Sequence, residues 1–311
     1  MPLLPEARVI QTSRGAVEYR SIGRGHPIVF FHGGQSNALN TAFDGTFDLD
    51  RFRLIIPSRP GYGRTPLKGN ASASDNARLI RALLDRLETG PAVLASVSLG
   101  ARPALWFAAL FPEMTRGLVL TSAITGPWMK ASDVRYWPAR IFFNYWTEGY
   151  LWSLTRFFFA RVPELAAQLF LRGITTRRIG AISPPDLQAL HDRVASGRSY
   201  RGFLSDLDHE VPDGVLAAIR CPTLIQRSLT DASVDLGQAQ RAQKLIHGAY
   251  LRLYDNEFGH LLWIGPGSDV ARTDIREFVE AVSSREVVRA SIERPAFSES
   301  AWPEFAVAVS G

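Results

Sequence analysis

The sequence predicts an α/β protein: a mostly parallel sheet flanked by helices, with a helical cap inserted after the strand that ends near Thr121. Three features of the 311-residue chain support this prediction. Apolar runs of strand length alternate with segments of helical spacing, which is typical of a parallel sheet with right-handed crossovers. One such run passes through Ser98 into an alanine-rich helical segment. Between residues 126 and 214 the alternation stops, and aromatic residues crowd a helical region.

The elements of the predicted core follow from apolar periodicity and turn residues. Strands are predicted at residues 8–11, 16–20, 27–31, 53–57, 92–97, 117–121, 221–228 and 249–254. Helices are predicted at residues 72–87, 101–110, 236–246 and 268–282. The first two strands flank Gly15 and indicate an antiparallel hairpin, and Gly90 is expected to close the first helix. Residues 1–125 and 215–282 are thus assigned to the core, residues 126–214 to the cap, and residues 283–311 to a tail of unpredicted structure.

The predicted cap is both aromatic and basic. Pro163 and Pro184 mark helix starts within it. Between residues 130 and 180, eight basic side chains stand against three acidic ones, an excess equal to the net charge of +5 of the whole chain. We expect the aromatic residues to roof an apolar pocket and, for the most part, to form the cap's own core. Contact of this basic and aromatic segment with a membrane surface is the third possibility.

Composition restricts the classes of function. A single cysteine, Cys221, excludes an internal disulfide and a metal site built from several cysteines. The N-terminus lacks the basic and apolar regions of a signal peptide, and no apolar run reaches the ~18 residues of a membrane span. No nucleic-acid-binding motif accompanies the basic segment. We therefore expect a cytoplasmic protein with a small apolar substrate, no cofactor, no metal and no nucleic-acid partner, and at most weak membrane-surface contact through the cap.

Ser98 lies on the turn between a buried strand and a helix. Such a turn exposes a serine hydroxyl beside the helix N-terminus, where backbone N–H groups point at developing negative charge. The motif is Ser96-x-Ser98-x-Gly100, with Ser96 at a position where glycine is usual. Taken alone, the motif fits a buried strand that ends in an N-cap serine equally well.

Asp231 and His260 each follow a later predicted strand, as Ser98 follows its own. Serine is a poor nucleophile until an imidazole accepts its proton, and the imidazole needs a carboxylate that fixes its tautomer. The carboxyl ends of parallel strands meet at one edge of a sheet, so we expect these residues to converge there. Asp235, further along the same loop, is the main rival for the acid role, and Asp133 and Asp255 are weaker rivals.

Taken together, these motifs resemble those of the α/β-hydrolase family over most of residues 8–282. The matching stretches are Phe30-Phe31-His32-Gly33-Gly34, Arg59-Pro60-Gly61-Tyr62-Gly63, the serine turn, Pro222-Thr223-Leu224 with Asp231, and Gly259-His260. The resemblance implies the α/β-hydrolase fold. The sequence departs from the family pattern at three positions. Glycine is common at the positions of Ser96 and Ala101, and aspartate is common at the position of Ser58.

The resemblance also implies roles for individual residues. Ser98 would be the nucleophile, His260 the general base and acid, and Asp231 the orienting acid of a catalytic triad. The backbone N–H groups of Gly34 and Leu99 would form the oxyanion hole. His32 looks like the family's structural histidine, which shapes the oxyanion loop.

The expected function is that of a serine hydrolase, acting on a carboxylic ester, thioester or lactone with a sizeable apolar part. Within the fold, Ser98 argues against epoxide hydrolases and haloalkane dehalogenases, which use an aspartate nucleophile. Carbon–carbon bond hydrolases, perhydrolases and proline aminopeptidases use serine and remain open. So do a lipase acting at a membrane surface and a non-catalytic protein that binds a small ligand. The oligomeric state is not predicted.

Overall fold

The computed structural model describes residues 6–129 and 131–284. Within this part of the chain, eight strands form one sheet in the order β1-β2-β4-β3-β5-β6-β7-β8. The strands are β1 (Arg8–Thr12), β2 (Gly15–Gly23), β3 (His26–Phe31), β4 (Phe52–Pro57), β5 (Ala92–Val97), β6 (Thr115–Thr121), β7 (Thr223–Ser228) and β8 (Ala249–Tyr254). The hairpin β1–β2 and its contact with β4 are antiparallel, and all other pairings are parallel. The predicted fold class is confirmed.

Ten α-helices accompany the sheet in the described residues. They are α1 (Ala73–Arg86), α2 (Ala101–Leu110), α3 (Tyr136–Phe142), α4 (Glu148–Arg161), α5 (Pro163–Leu171), α6 (Pro184–Ala195), α7 (Gly202–Leu207), α8 (Asp213–Ala218), α9 (Leu236–Leu245) and α10 (Ser268–Ser284). Helices α3 to α8 stand between β6 and β7. Helices α3 to α7 lie in the segment that the sequence assigns to the cap, and α8 crosses the predicted boundary at residue 214. Of the predicted tail, residues 285–311 lie outside the described residues.

The core lies on both faces of the sheet because successive strand residues point to opposite sides. In β5, Val93, Ala95 and Val97 belong to one apolar cluster. Ala92 and Leu94 belong to the cluster on the other face. Every residue of β5 is buried, as expected for a central strand covered by helices on both sides.

The strand order places the predicted site at the carboxyl edge of the sheet. Strand β5 is central, and the loops after β7 and β8 lie on one side of it. These three strand ends lead to Ser98, Asp231 and His260 respectively. Three residues that span more than half of the chain are therefore brought to one edge of the sheet.

Two local predictions are wrong. The first helix does not end at Gly90. Leu87 is its C-cap, and Glu88 takes the left-handed conformation with φ of 53°. The backbone thus turns at Glu88, two residues before Gly90. It does so because the N–H groups of Leu87, Glu88 and Thr89 already donate to carbonyl groups of the last helical turn.

The expectation that most cap aromatics form the cap's own core is also wrong. Of the 13 aromatic residues concerned, Trp152 and Phe159 are buried. Seven are exposed, namely Trp137, Phe142, Tyr145, Trp146, Tyr150, Phe157 and Phe158. Helices α3 and α4 thus carry apolar side chains outward as well as inward.

No helix among the described residues combines the length and apolar character that crossing a bilayer requires.

Candidate active site

Ser98 sits in a sharp turn that the local sequence is built to accommodate. It has a φ of 54°, a left-handed conformation that is costly for a residue with a side chain. A short 3₁₀ turn over Ser98–Gly100 leads directly into α2. A Cβ on Gly100 would lie 2.2 Å from the carbonyl oxygen of Phe31, so only glycine lets the turn pack this closely against the end of β3.

Ser96 fits the strand although the family pattern favours glycine at that position. Its hydroxyl donates to the carbonyl oxygen of Val119 in the neighbouring strand at 3.0 Å. The side chain is fully buried and its polar atom is satisfied. The serine at this position therefore does not distort the turn.

The structure brings Asp231 and His260 into direct contact. Nδ1 of His260 lies 2.9 Å from Oδ2 of Asp231. The other carboxylate oxygen accepts the backbone N–H groups of Ser233 at 2.8 Å and Val234 at 3.0 Å. Because a carboxylate only accepts, the proton on this side belongs to Nδ1, which leaves Nε2 as the acceptor of the imidazole.

The carboxyl of Asp231 is held in its ionised form. Burial alone would raise its pKa, but the His260 ring, the Arg227 guanidinium and the N–H of Val234 outweigh burial and lower the pKa. An ionised carboxylate can both orient the imidazole and stabilise its protonated form.

The rival acids are engaged elsewhere. Asp235 is the N-cap of α9 and accepts the N–H of Gly237 at 2.7 Å. Asp133 pairs with Arg135, and Asp255 pairs with Arg177. Among the described aspartates, it is Asp231 that contacts His260.

The segment after β6 links the serine turn to the histidine loop. The hydroxyl of Ser122 donates to the carbonyl oxygen of His260 at 3.1 Å. Two residues later, the N–H of Ile124 donates to the carbonyl oxygen of Ser98, also at 3.1 Å. Ser98 and His260 are thus both held by one short segment of chain.

The predicted oxyanion residues lie side by side. A Cβ on Gly34 would be 2.6 Å from Cδ1 of Leu99, and a Cβ on Gly33 would be 3.4 Å from Cβ of Ser98. His32 links this loop to the loop after β4. Its Nε2 accepts the N–H of Arg59 at 3.1 Å, so Nδ1 carries the proton and donates to the carbonyl oxygen of Gly33 at 2.8 Å. Burial, and secondarily the Arg59 charge, holds the pKa of His32 well below its ordinary value.

Comparison with known proteins identifies the family. The family model described as alpha/beta hydrolase fold matches residues 26–263. The chain belongs to the α/β-hydrolase family. Its relatives include the uncharacterized hydrolase YcgS of Bacillus subtilis, which is 32% identical over 274 residues, covering 86% of this chain and 96% of YcgS. The chain is therefore a hydrolase.

Solved structures show the same fold. An alpha/beta hydrolase fold protein from Nakamurella multipartita has a TM-score of 0.75 at 23% identity, with 89% of this chain and 99% of that chain covered. A thermophilic esterase from Thermogutta terrifontis has a TM-score of 0.65 at 20% identity, with 90% and 100% covered.

In this α/β hydrolase, a buried ion pair ties the oxyanion loop to the cap. Nη1 of Arg59 lies 2.7 Å from Oδ2 of Asp206 on α7, and the Tyr62 hydroxyl donates to the same oxygen at 2.6 Å. Nε of Arg59 donates to the carbonyl oxygen of His32 at 3.0 Å. The sequence analysis missed Asp206, because its partners lie more than 140 positions away in the chain.

Arg227 is a second residue that the sequence analysis missed. Its Nη1 lies 2.9 Å from Oδ2 of Asp231, and its side chain is 4% exposed. A signal was present, since an arginine inside a strand predicted to belong to the core sheet, four residues before the acid, requires an anionic partner if it is buried.

The chain after α5 contacts both the loop that carries Asp231 and the loop that carries His260. The N–H of His260 donates to the carbonyl oxygen of Ile174 at 2.9 Å, and the N–H of Thr176 donates to that of Thr230 at 2.8 Å. Gly259 has a φ of 52°, and a Cβ there would lie 2.5 Å from the Ile174 oxygen. The strand-like contact between Thr175 and Asp231 completes this junction.

An apolar wall adjoins the serine. Leu99, Ile124 and Val234 from the core pack with Phe203 and Leu207 from α7 in one buried cluster. No group of three or more His, Cys, Asp or Glu side chains within the described residues is arranged to hold a metal ion.

Proposed function

We propose that this α/β hydrolase is a serine hydrolase that cleaves a carboxylic ester, thioester or lactone bond of a largely apolar small molecule through an acyl-enzyme on Ser98. The observation that carries the proposal is the Asp231–His260 pair at 2.9 Å, held by Ser122 next to the strained serine turn. An ionised carboxylate that orients an imidazole has little structural use at such an edge, whereas acyl transfer requires it.

The proposed reaction begins at the serine hydroxyl. Oγ of Ser98 attacks the carbonyl carbon while its proton passes to Nε2 of His260. Asp231 stabilises the resulting imidazolium through Nδ1. The carbonyl oxygen, now an oxyanion, accepts the N–H groups of Gly34 and Leu99.

Collapse of this tetrahedral species breaks the bond to the leaving group. His260 returns its proton to the departing alkoxide, thiolate or ring oxygen, and the acyl group stays on Ser98. Water then repeats the sequence, with His260 as base, and releases the carboxylic acid. Each step uses one proton and one electron pair, and no oxidant or reductant is needed.

The apolar wall supports an apolar substrate. Leu99 carries one proposed oxyanion N–H and packs in the same cluster as Phe203. A Cβ on Gly34 would also lie 2.9 Å from Cδ2 of Phe203, so that ring covers the oxyanion loop. A solved esterase with this fold, that of Thermogutta terrifontis, is consistent with ester cleavage.

A proline aminopeptidase would need a free carboxylate to bind the substrate's amino group. The buried acids of the cap are neutralised, since Asp206 pairs with Arg59 and Glu148 with Arg198 at 2.9 Å. Carbon–carbon bond hydrolases and perhydrolases would use the same three residues and differ in the substrate.

The test is labelling with a fluorophosphonate probe, together with hydrolysis of 4-nitrophenyl esters from acetate to decanoate. We expect labelling of the parent, none of Ser98→Ala, and turnover that depends on chain length. A folded parent that is not labelled and hydrolyses none of these esters would contradict the proposal. Retained ligand affinity without turnover would favour a binding protein.

A further inference from the structure

Arg193 on α6 is a partly buried cation without an anionic partner among the described residues. Its Nη1 is enclosed by protein and has no hydrogen-bond partner among the described residues. No carboxylate in the described part of the chain lies within 4 Å of its guanidinium. Buried charges in proteins are normally paired, because an isolated one loses its hydration without compensation.

The contrast with Arg59 shows that this is unusual within the same molecule. Arg59 is fully buried and Arg193 is partly buried, but Asp206 raises the pKa of Arg59 despite burial. Burial lowers the pKa of Arg193 to about 10, with no neighbouring charge to offset it. Arg193 therefore has an unmet requirement for an anion.

Arg193 lies near the proposed reaction centre. Its guanidinium stands 5.8 Å from the centre of the Trp152 ring, and the indole N–H of Trp152 donates to Oε1 of Gln35 at 3.3 Å. Gln35 directly follows Gly34 in the oxyanion loop. The Arg193 charge also contributes, after burial and Arg59, to the lowered pKa of His32. The guanidinium is thus close to the base of the oxyanion loop.

The end of α6 is fixed over the same loop. Nδ2 of Asn37 donates to the carbonyl oxygen of Ser196 at 3.1 Å, just beyond the last residue of α6. Trp152 forms one wall beside Arg193, and an aromatic face is attractive to a cation but does not neutralise it. Arg193 therefore lies at the junction of α6, Trp152 and the loop that follows Gly34.

We propose that Arg193 binds a carboxylate of the substrate, so that the preferred substrate is an ester, thioester or lactone with one negatively charged end and an otherwise apolar body. This inference rests on the proposed function. A carboxylate suits the site because its two oxygens match the planar N–H donors of a guanidinium.

The test compares matched neutral and charged esters. Mono(4-nitrophenyl) glutarate and 4-nitrophenyl pentanoate differ in having a carboxylate or a methyl at the end of the acyl chain. The pair 4-carboxyphenyl pentanoate and 4-methylphenyl pentanoate places the same difference on the leaving group. We expect kcat/KM of the parent to favour the charged member of one pair by about 10- to 100-fold, the usual worth of a hydrogen bond to a charged group.

The variants are Arg193→Met, Arg193→Lys and, as a control, Arg172→Met, which removes an exposed cap arginine. Arg193→Met should abolish the preference and leave kcat/KM for the neutral esters within a few-fold of the parent. Arg193→Lys should keep part of the preference, and Arg172→Met all of it. An equal charged-to-neutral ratio in the parent and Arg193→Met, in both pairs, would overturn the inference.

Failure of this inference differs from failure of the proposed function. Fluorophosphonate labelling of Ser98 should persist in Arg193→Met, whichever way the selectivity falls. If no ester is hydrolysed, the site is tested by calorimetry instead of kinetics, by measuring the binding of glutarate to Ser98→Ala. Binding that Arg193→Met removes supports the site, and glutarate that does not bind, or binds equally well without Arg193, overturns it.

A separate observation concerns the outer face of the cap. Of 17 exposed large hydrophobic side chains in the described residues, 13 lie between Val134 and Leu169. They follow helical spacing, as Tyr150, Leu154 and Phe157 do on α4, opposite the buried Trp152. A patch of this extent on a protein surface marks an interaction site.

Arginines are interleaved with these aromatic side chains. The guanidinium of Arg161 lies 5.0 Å from the centre of the Phe157 ring, and that of Arg201 lies 4.7 Å from the centre of the Tyr145 ring. Within the described residues, Arg161 and Arg172 have no carboxylate within 4 Å. A second copy of this chain would bring like charges together across the face, whereas an anionic surface would complement them.

We infer that the outer face of α3, α4 and α5 docks on an anionic lipid bilayer. Aromatic rings at headgroup level with interleaved arginines are the chemistry of interfacial binding, and each arginine near such a surface adds about 1 kcal/mol.

The measurement is co-sedimentation with vesicles of phosphatidylcholine alone or with phosphatidylglycerol. The parent should sediment with the anionic vesicles, less so at high salt, and the double variant Trp146→Ser/Tyr150→Ser should stay in solution. Val270→Ser, at an exposed apolar residue of α10, is the matched control. A parent that remains in solution overturns the inference, as does a dimer in ultracentrifugation that the double variant dissociates.

Discussion

Arg227 and Asp231, the proposed triad acid, form a buried ion pair, in which Nη1 of the arginine lies 2.9 Å from Oδ2 of the carboxylate. This is the same oxygen that faces Nδ1 of His260. The Arg227 charge and the proposed general base His260 therefore contact the same oxygen of Asp231. Other charged neighbours are few, with Asp235 on the same loop engaged as a helix cap.

Removal of the Arg227 charge should change the pH dependence of the reaction. The Arg227 guanidinium helps to keep the Asp231 carboxylate ionised, so Arg227→Met should let the pair take up a proton at higher pH and move the acid limb of the kcat/KM profile to higher pH. Arg227→Lys keeps the charge and should keep the limb near its parental position. A pH–rate profile of the three proteins checks this, and identical acid limbs in all three would contradict it.

The lowered pKa of Asp231 has a consequence for stability against acid. A carboxyl with a depressed folded-state pKa contributes stability that is present above its ordinary pKa of about 3.9 and is lost as pH falls through the folded value. The gap in unfolding free energy between the parent and Asp231→Asn should thus shrink as pH falls from about 4 toward 2. Urea denaturation across this range measures it, and a gap that grows on acidification would show the opposite sign.

Backbone strain at Ser98 should be visible in stability. The left-handed conformation costs roughly 1–2 kcal/mol with a side chain and little with glycine. The greater freedom of glycine in the unfolded chain returns roughly 0.4–1 kcal/mol of this. Ser98→Gly should therefore unfold at a higher urea concentration than Ser98→Ala, with a free energy of unfolding higher by up to about 1.6 kcal/mol. Both variants should be inactive. Equal stability of the two variants would mean that the turn relaxes without strain.

A side chain on Gly34 should displace the oxyanion loop. Its Cβ would lie 2.6 Å from Cδ1 of Leu99 and 2.9 Å from Cδ2 of Phe203. Loss of one oxyanion donor costs about 10²–10³ in kcat, so Gly34→Ala should lower kcat by this order with a smaller effect on KM. Gly214→Ala, with no heavy atom within 4 Å of its Cβ, is the control and should match the parent. Parental kcat in Gly34→Ala would remove this residue from the proposed oxyanion hole.

The buried pair between Arg59 and Asp206 should be costly to break from one side. Asp206→Asn leaves the fully buried Arg59 charge without its counterion. Such a loss typically lowers the free energy of unfolding by about 3–5 kcal/mol. The double variant Arg59→Met/Asp206→Leu removes both charges and should recover much of the loss. Denaturant titration of Arg59→Met, Asp206→Leu and this double variant forms a complete cycle, and additive effects would show that the two charges do not interact.

The sequence alone predicted the elements that depend on local patterns. Strand β5 is recognisable because every one of its residues is apolar or small, and the hairpin because turn residues separate two short strands. The positions of Ser98, Asp231 and His260 just beyond three strands followed from the same periodicity. Parallel topology then requires those strand ends to share one edge, so the broad placement of the site needed no knowledge of packing.

The choice between Asp231 and Asp235 was decided only by tertiary structure. Both lie on one loop, four positions apart, and periodicity does not distinguish them. In the fold, Asp235 caps α9 while Asp231 faces His260. The same holds for Arg59, whose counterion Asp206 is 147 positions away.

The cap shows the clearest limit of the sequence. Its aromatic residues are apolar enough for a core, yet α4 presents apolar side chains on two faces, and only packing determines which face is covered. Likewise, nothing in the sequence distinguishes the unpaired Arg193 from its paired neighbours, because an ion pair depends on which distant elements meet. Local periodicity thus determined the order of elements and the proposed catalytic residues, and long-range packing decided which charges are neutralised and which surfaces remain open.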